Sequence, residues 1–339
     1  MSLETHTQLQ RPRAECADGI AINETTGLVT KPFFLVGSER SGTTLTRLMF
    51  DHHPLIAFFF EFEYAVDMMP ESEGWPDLRE YYEFLRPDRI FQAANVVIDE
   101  KLDYPHLVDS FLRRKRDRDN KPLVGATVHR HFDRLLRIWP DARFIHIVRD
   151  GRDVARSVIE MGWAGNMYTA VEGWIEAEML WSRLCRDLPA DRWTEIRYEA
   201  LVSRPEATLT RVCEFLGVPY DPAMLDYHKY TTYGPPSPKA SGQWKFKLSP
   251  DEIRLAEARI RDMLTERDYE LSGHSPLEVS PAMARWLRLH NRCCRAMFRR
   301  RRYGLGLFLA QWVTRRFGPR SWQLRVQERI NVIDTKYLK

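Results

Sequence analysis

The 339-residue chain has no hydrophobic stretch long enough to cross a bilayer: its longest apolar run, residues 304–313, is about half of the roughly 20 residues a spanning helix needs. Cysteine is scarce. Five residues (Cys16, Cys185, Cys213, Cys293 and Cys294) show no paired metal-ligand spacing, and their odd number argues against a disulfide framework. Residues 1–30 lack the apolar core of a signal peptide and read as a loose polar leader. The expected location is cytoplasmic, with peripheral contact at a membrane as the alternative. Acid is scarce at one end only. From Pro281 to Lys339, fifteen Lys/Arg face Glu328 and Asp334 alone, although the whole chain carries 51 basic and 47 acidic residues for a net charge of +4. A basic tail of this kind meets an anionic partner, packs on the acidic remainder, or stands solvated.

What is present is a composition ordinary for a globular fold, 44% hydrophobic and 29% charged. Short apolar runs alternate with helical periodicities. Residues 31–37, 123–125, 143–149 and 193–198 read as strands. The stretches 41–50, 132–139, 153–161, 170–188 and 205–216 read as helices, and residues 60–120 as helices and lid-like loops. This alternation predicts an α/β fold, a parallel sheet flanked by helices, over residues 31–275. A basic helical extension over residues 276–339 completes the chain.

Two stretches carry chemistry. Gly37-Ser-Glu-Arg-Ser-Gly-Thr-Thr44 has G-x-x-x-x-G spacing between a strand and a helix, where backbone N–H groups and the helix N-terminus cradle a phosphate. The lysine that a triphosphate loop places next is absent. Thr43 stands there, and the cation is Arg40 inside the loop. Arg149 closes a second strand, with Ser157 eight residues on, at the strand end where ligands of parallel sheets collect. Two separate phosphate positions on one edge favour a bisphosphorylated nucleotide. Structural ion pairs of Arg149–Asp150 or Arg152–Asp153 are the plainer alternative.

Together these motifs resemble the nucleotide site of sulfotransferases that use 3′-phosphoadenosine 5′-phosphosulfate (PAPS). Residues 32–45 are similar to the family's phosphosulfate loop and residues 144–157 to its 3′-phosphate segment. Residues 196–205 and 213–217 are similar to the family's next two segments, and residues 241–245 resemble its cofactor-covering loop. The arginine in the loop is closer to the bacterial and Golgi-type branch. The resemblance implies a P-loop-type fold and sulfuryl transfer to a hydroxyl or amine with no metal. It places the 5′-phosphosulfate on Arg40, Ser41, Gly42, Thr43 and Thr44, and the 3′-phosphate on Arg149 and Ser157. Tyr198 becomes an adenine contact, and Lys245 or Lys239 closes over the phosphates.

The base the family uses falls on Glu61, seven residues after His-Pro, with Glu63 on the same face if the stretch is extended. Lys-Thr-Pro, frequent in relatives, is replaced by Ala126-Thr-Val-His-Arg-His131. His129, Arg130 or His131 then supplies the missing charge or an alternative base. A kinase-like or non-catalytic nucleotide-binding P-loop protein is the competing reading.

The acceptor (small molecule, glycan or lipid) would meet aromatics such as Phe62, Tyr64, Trp75, Trp163, Tyr168, Trp174 and Trp181, most of which core packing also explains. The basic tail is compatible with an interfacial helix on an anionic leaflet or with self-association. No recognised nucleic-acid module accompanies it.

Overall fold

A computed structural model describes residues 27–337. Five strands form one parallel sheet: β1 (Phe33–Val36), β2 (Ile56–Glu61), β3 (Leu123–Val128), β4 (Arg143–Val148) and β5 (Trp193–Arg197), in the order β2-β3-β1-β4-β5. The chain order reverses at β1, so the carboxyl ends of β1, β3 and β4 meet at the switch point where ligands of such sheets bind.

Residues one apart in β1 face opposite layers. Phe33 and Leu35 pack with Ile56, Phe58, Ile145 and Ile147 against the helices Thr43–Asp51 and Pro205–Leu216. Phe34 and Val36 join Phe59, Ala126, Phe144 and Trp139 against the helix Tyr104–Asp119. Burial on both faces explains the continuous apolar runs. β2 lies mostly in a stretch that the sequence left without an element, and only its last two residues enter the region expected to be helices and loops. Its Ile-Ala-Phe-Phe-Phe-Glu run is an edge strand that bulges against β3 between Phe59 and Glu61.

Other boundaries move as well. Leu28 and Val29, expected at the end of a loose leader, lie in the core, and the Val29 N–H donates to Asp109 Oδ1 at 2.9 Å. Residues 1–26 of that leader, with Cys16, lie outside the described residues. β5 stops at Arg197, and Tyr198 opens the helix Tyr198–Ser203 rather than ending a strand. The helix expected at residues 132–139 is one 3₁₀ turn followed by Leu135–Ile138.

The basic tail is helical, as Pro281–Phe317 and Arg320–Tyr337, with a break at Gly304, whose φ of 77° only glycine adopts readily. It is fastened to the body. Asn291 Oδ1 accepts the Gly165 N–H at 2.7 Å, Asn166 donates to the Leu287 carbonyl, and Asn331 donates to the Pro87 carbonyl.

Candidate active site

The loop after β1 is shaped by its own atoms. Ser41 is fully buried. Its hydroxyl is bonded to Ser38 Oγ at 2.6 Å, and its N–H donates to the Ser38 carbonyl. Ser41 therefore shapes the loop and does not line the cavity. Gly42 caps the helix Thr43–Asp51 at φ 100° and offers no side-chain acceptor to the first-turn N–H groups, which leaves them available to an anion. A Cβ at Gly42 would lie 2.2 Å from the Tyr198 ring, so only glycine lets that ring close on the loop.

Arg40 stands at φ 70°, unusual for a residue with a Cβ. Its Nε donates to Ser157 Oγ at 2.9 Å. The loop cation thus reaches across to the second motif, 117 residues away in sequence. Arg149 lies over the Tyr198 ring at 4.3 Å, and its Nη1 and Nη2 donate to the carbonyls of Arg40 and Ala240. Its Nε is buried without a partner, an unsatisfied donor of the kind an anion completes.

The partners of the expected ion pairs are exchanged: Arg152 pairs with Asp150, and Arg149 with Asp153. Fully buried Arg152 bonds Asp150 and Glu257 at 2.6–3.0 Å and lies over the Trp244 ring, while Asp153 lies 3.6 Å from Arg149 and accepts the Trp244 N–H. Arg149 remains the arginine directed to the cavity.

Arg40, Gly42, Thr43, Thr44, Arg149, Ser157 and Tyr198 line one cavity of about 250 Å³, closed by residues 233–237 and Ala240. Lys245 is not brought there. It is half exposed and paired with Glu270 at 2.8 Å, and exposed Lys239 is also absent from the lining. The covering segment uses Tyr233, Gly234 and two prolines instead, which the tail of the resemblance did not reveal.

A second cavity, about 560 Å³, shares Arg40, Thr43 and Thr44 with the first and adds Glu61, His129, Arg47, Arg89 and Trp163. A third, about 640 Å³, continues from His129 and Trp163 past Arg130 and His131 to Asn291 and Arg295. Of the aromatics expected at the acceptor, Trp163 is at this passage. Buried Trp174 also lines the third cavity and donates its indole N–H to the Arg149 carbonyl, whereas Phe62, Tyr64 and Trp181 are core side chains. Arg47 was missed, although it follows Thr43 and Thr44 by one helical turn on the same face.

Glu61 and Glu63 do not share a face, because the strand ends between them. Glu63 begins a 3₁₀ turn and is buried, where its Oε1 accepts from the His129 N–H at 3.1 Å and from His129 Nδ1 at 2.5 Å. His129 Nε2 is 3.0 Å from Thr43 Oγ1. Burial pushes His129 toward neutrality, but the charge and hydrogen bond of Glu63 overcome it and hold the imidazole at about 9. Burial likewise opposes ionisation of Glu63, and His129 overcomes it, keeping that carboxyl below its ordinary value. His129 is therefore a cation at neutral pH that donates to the loop through Thr43. It fits the missing positive charge and not a base. For Glu61, burial reinforced by the Glu63 charge raises the carboxyl above its ordinary 4.5.

Arg130 forms a two-point pair with Asp67 at 2.7–2.8 Å. Burial and Arg134 lower the His131 pKa.

A phosphate-type loop ahead of a helix, a second arginine at the neighbouring strand end and a carboxylate in the adjoining space define a P-loop-type transferase site. The sequence profile of the Sulfotransferase family matches residues 32–222, and the chain belongs to that family. It is 26% identical over 262 residues to a protein-tyrosine sulfotransferase of Drosophila melanogaster, covering 74% of this chain and 49% of that one. It is 28% identical over 262 residues to protein-tyrosine sulfotransferase 1 of Danio rerio, covering 74% and 68%. The chain thus spans about half the length of the Drosophila relative. Among solved structures, the sulfotransferase domain from the curacin biosynthetic pathway superposes with a TM-score of 0.51 at 16% identity, covering 72% of this chain and 99% of that domain. That similarity concerns the fold.

Proposed function

We infer that this chain transfers a sulfuryl group from PAPS to an acceptor hydroxyl. The observation that carries the reading is the junction of the two cavities. Arg40, Thr43 and Thr44 belong to both, with Arg149 and its unpartnered Nε on one side and Glu61 and His129 on the other. Family membership supports sulfuryl transfer over a kinase-like activity, as does the absence of the triphosphate-loop lysine.

The 5′-phosphosulfate falls to the free N–H groups at Thr43 and Thr44, with Arg40. The 3′-phosphate falls to Arg149 and Ser157, and the adenine to the Tyr198 side of the cavity. The donor supplies a sulfuryl group whose bond to the 5′-phosphate breaks as the acceptor oxygen bonds to sulfur. Glu61 removes the acceptor proton, and its raised pKa makes it a stronger base than an exposed carboxylate. Arg40 and the His129 imidazolium, acting through Thr43, stabilise charge on the departing phosphate oxygen. The names of the relatives make a phenolic hydroxyl the first acceptor to try.

The test is transfer of ³⁵S-labelled sulfate from PAPS to tyrosine peptides, simple phenols, glycans and lipid-linked hydroxyls. Labelled product from the wild type and none from Glu61→Gln supports the reading. Product from neither, with phosphate transfer from ATP instead, overturns it in favour of a kinase-like protein.

A further inference from the structure

Between Pro281 and Gln327 the sequence has twelve arginines and no acidic residue. Among the described residues this segment makes two salt bridges to carboxylates, Arg302 with Asp334 at 3.5 Å and Arg320 with Glu83 at 2.7 Å. Beyond the break at Gly304, Leu305, Leu309, Trp312, Val313 and Phe317 recur on successive turns, each 45% to 75% exposed. Gln311 and Thr314, on the opposite side of the helix, are buried. The exposed side is ordered. Trp312 packs on Phe317 with ring centroids 6.3 Å apart, and the Arg316 guanidinium lies 4.8 Å from the Trp312 ring.

We propose that this face docks on an anionic lipid bilayer, with the apolar side chains entering the headgroup boundary and the arginines meeting acidic headgroups. Charge selects the occupant. A symmetric second copy would set arginine against arginine, whereas acidic headgroups neutralise the surplus. No helix among the described residues is long and apolar enough to cross a membrane, so the helix lies in the interface plane. The consequence reaches the cavity. The helix that precedes the break at Gly304 is pinned to its wall through Asn291 and Leu287, and Arg295 lines the acceptor end. The docking face is thus joined through the Gly304 break to the helix that walls the acceptor end of the cavity.

The test is co-sedimentation of the full chain with phosphatidylcholine vesicles, with and without about 30% phosphatidylserine. The expected result is binding to the anionic vesicles alone, weakening as salt screens the charges. The triple change Leu309→Glu/Trp312→Glu/Phe317→Glu should reduce it at least about tenfold. Arg300→Ser/Arg301→Ser, which leaves the apolar face and its Arg316–Trp312 contact intact, should reduce it by a similar factor. Circular dichroism and binding of 3′,5′-adenosine bisphosphate, the product of sulfuryl transfer, should stay unchanged in both variants. Equal binding to neutral vesicles, or no binding to either, overturns the proposal. So does a dimer in light scattering that the apolar variant dissociates, or tighter binding to nucleic acid than to anionic vesicles.

Discussion

The two adjoining cavities are built from different materials. At the nucleotide end the cations are already engaged, mostly with neutral groups, and Arg149 also lies 3.6 Å from the Asp153 carboxylate. Arg149 donates to two carbonyls and Arg40 to Ser157, and Tyr198 closes on Gly42. The adjoining end carries the groups with shifted protonation, Glu61 and the Glu63–His129 pair. One end is organised to hold a charge pattern, the other to move a proton and stabilise developing charge. Changes at the first should appear as lost affinity, changes at the second as lost turnover.

The largest expected effect is at Glu61. Glu61→Gln should lower kcat by about 10² to 10⁴-fold, the range of general-base catalysis, while calorimetric affinity for 3′,5′-adenosine bisphosphate stays unchanged. A parallel loss of affinity would erase the division between the ends. Next, Arg149→Ala should weaken bisphosphate binding by about 10 to 100-fold, since a hydrogen bond to a charged group contributes about 1.5–3 kcal/mol. At saturating donor its kcat should change far less.

Glu63→Gln sharpens the comparison through pH. In the wild type, activity should rise as Glu61 ionises above its ordinary 4.5 and fall as His129 loses its proton near 9. Without the Glu63 charge the basic limb should move down toward the ordinary histidine value of 6.5. A basic limb fixed near 9 would remove His129 from the account. The same pair makes stability depend on pH. His129 is raised by folding, so its contribution is complete below 6.5 and lost as pH rises through about 9. Glu63 is lowered by folding, so its contribution is complete above 4.5 and lost as pH falls through its depressed value. Urea unfolding should therefore show stability declining between pH 6.5 and 9. Smallest of all, Lys245→Ala should change affinity and kcat by less than about twofold, because this exposed lysine pairs with Glu270.

How much of this was legible depended on sequence distance. The phosphate-type loop, Arg149 and Ser157 lie in two local stretches, each a strand followed by a helix, and local pattern identifies them. β2 was missed although its run of phenylalanines is as continuously apolar as those of β1 and β4. The end of that strand is also why Glu61 and Glu63 part company. The Glu63–His129 pair spans 66 residues and the contact with Thr43 spans 86, joined by β3 pairing beside β1 and β2. No local spacing contains that information. Lys245 sits in a plausible motif, but the chain turns Trp244 inward onto Arg152 and leaves the lysine outside.

The proposed site holds two separate phosphates. Calorimetric titration of the full chain with 3′,5′-adenosine bisphosphate, set beside ATP with magnesium, tests it most directly. Tight bisphosphate binding, weak ATP binding and loss of the former in Arg149→Ala are the expected result. Preferential binding of magnesium-ATP, or bisphosphate affinity indifferent to Arg149, would contradict it.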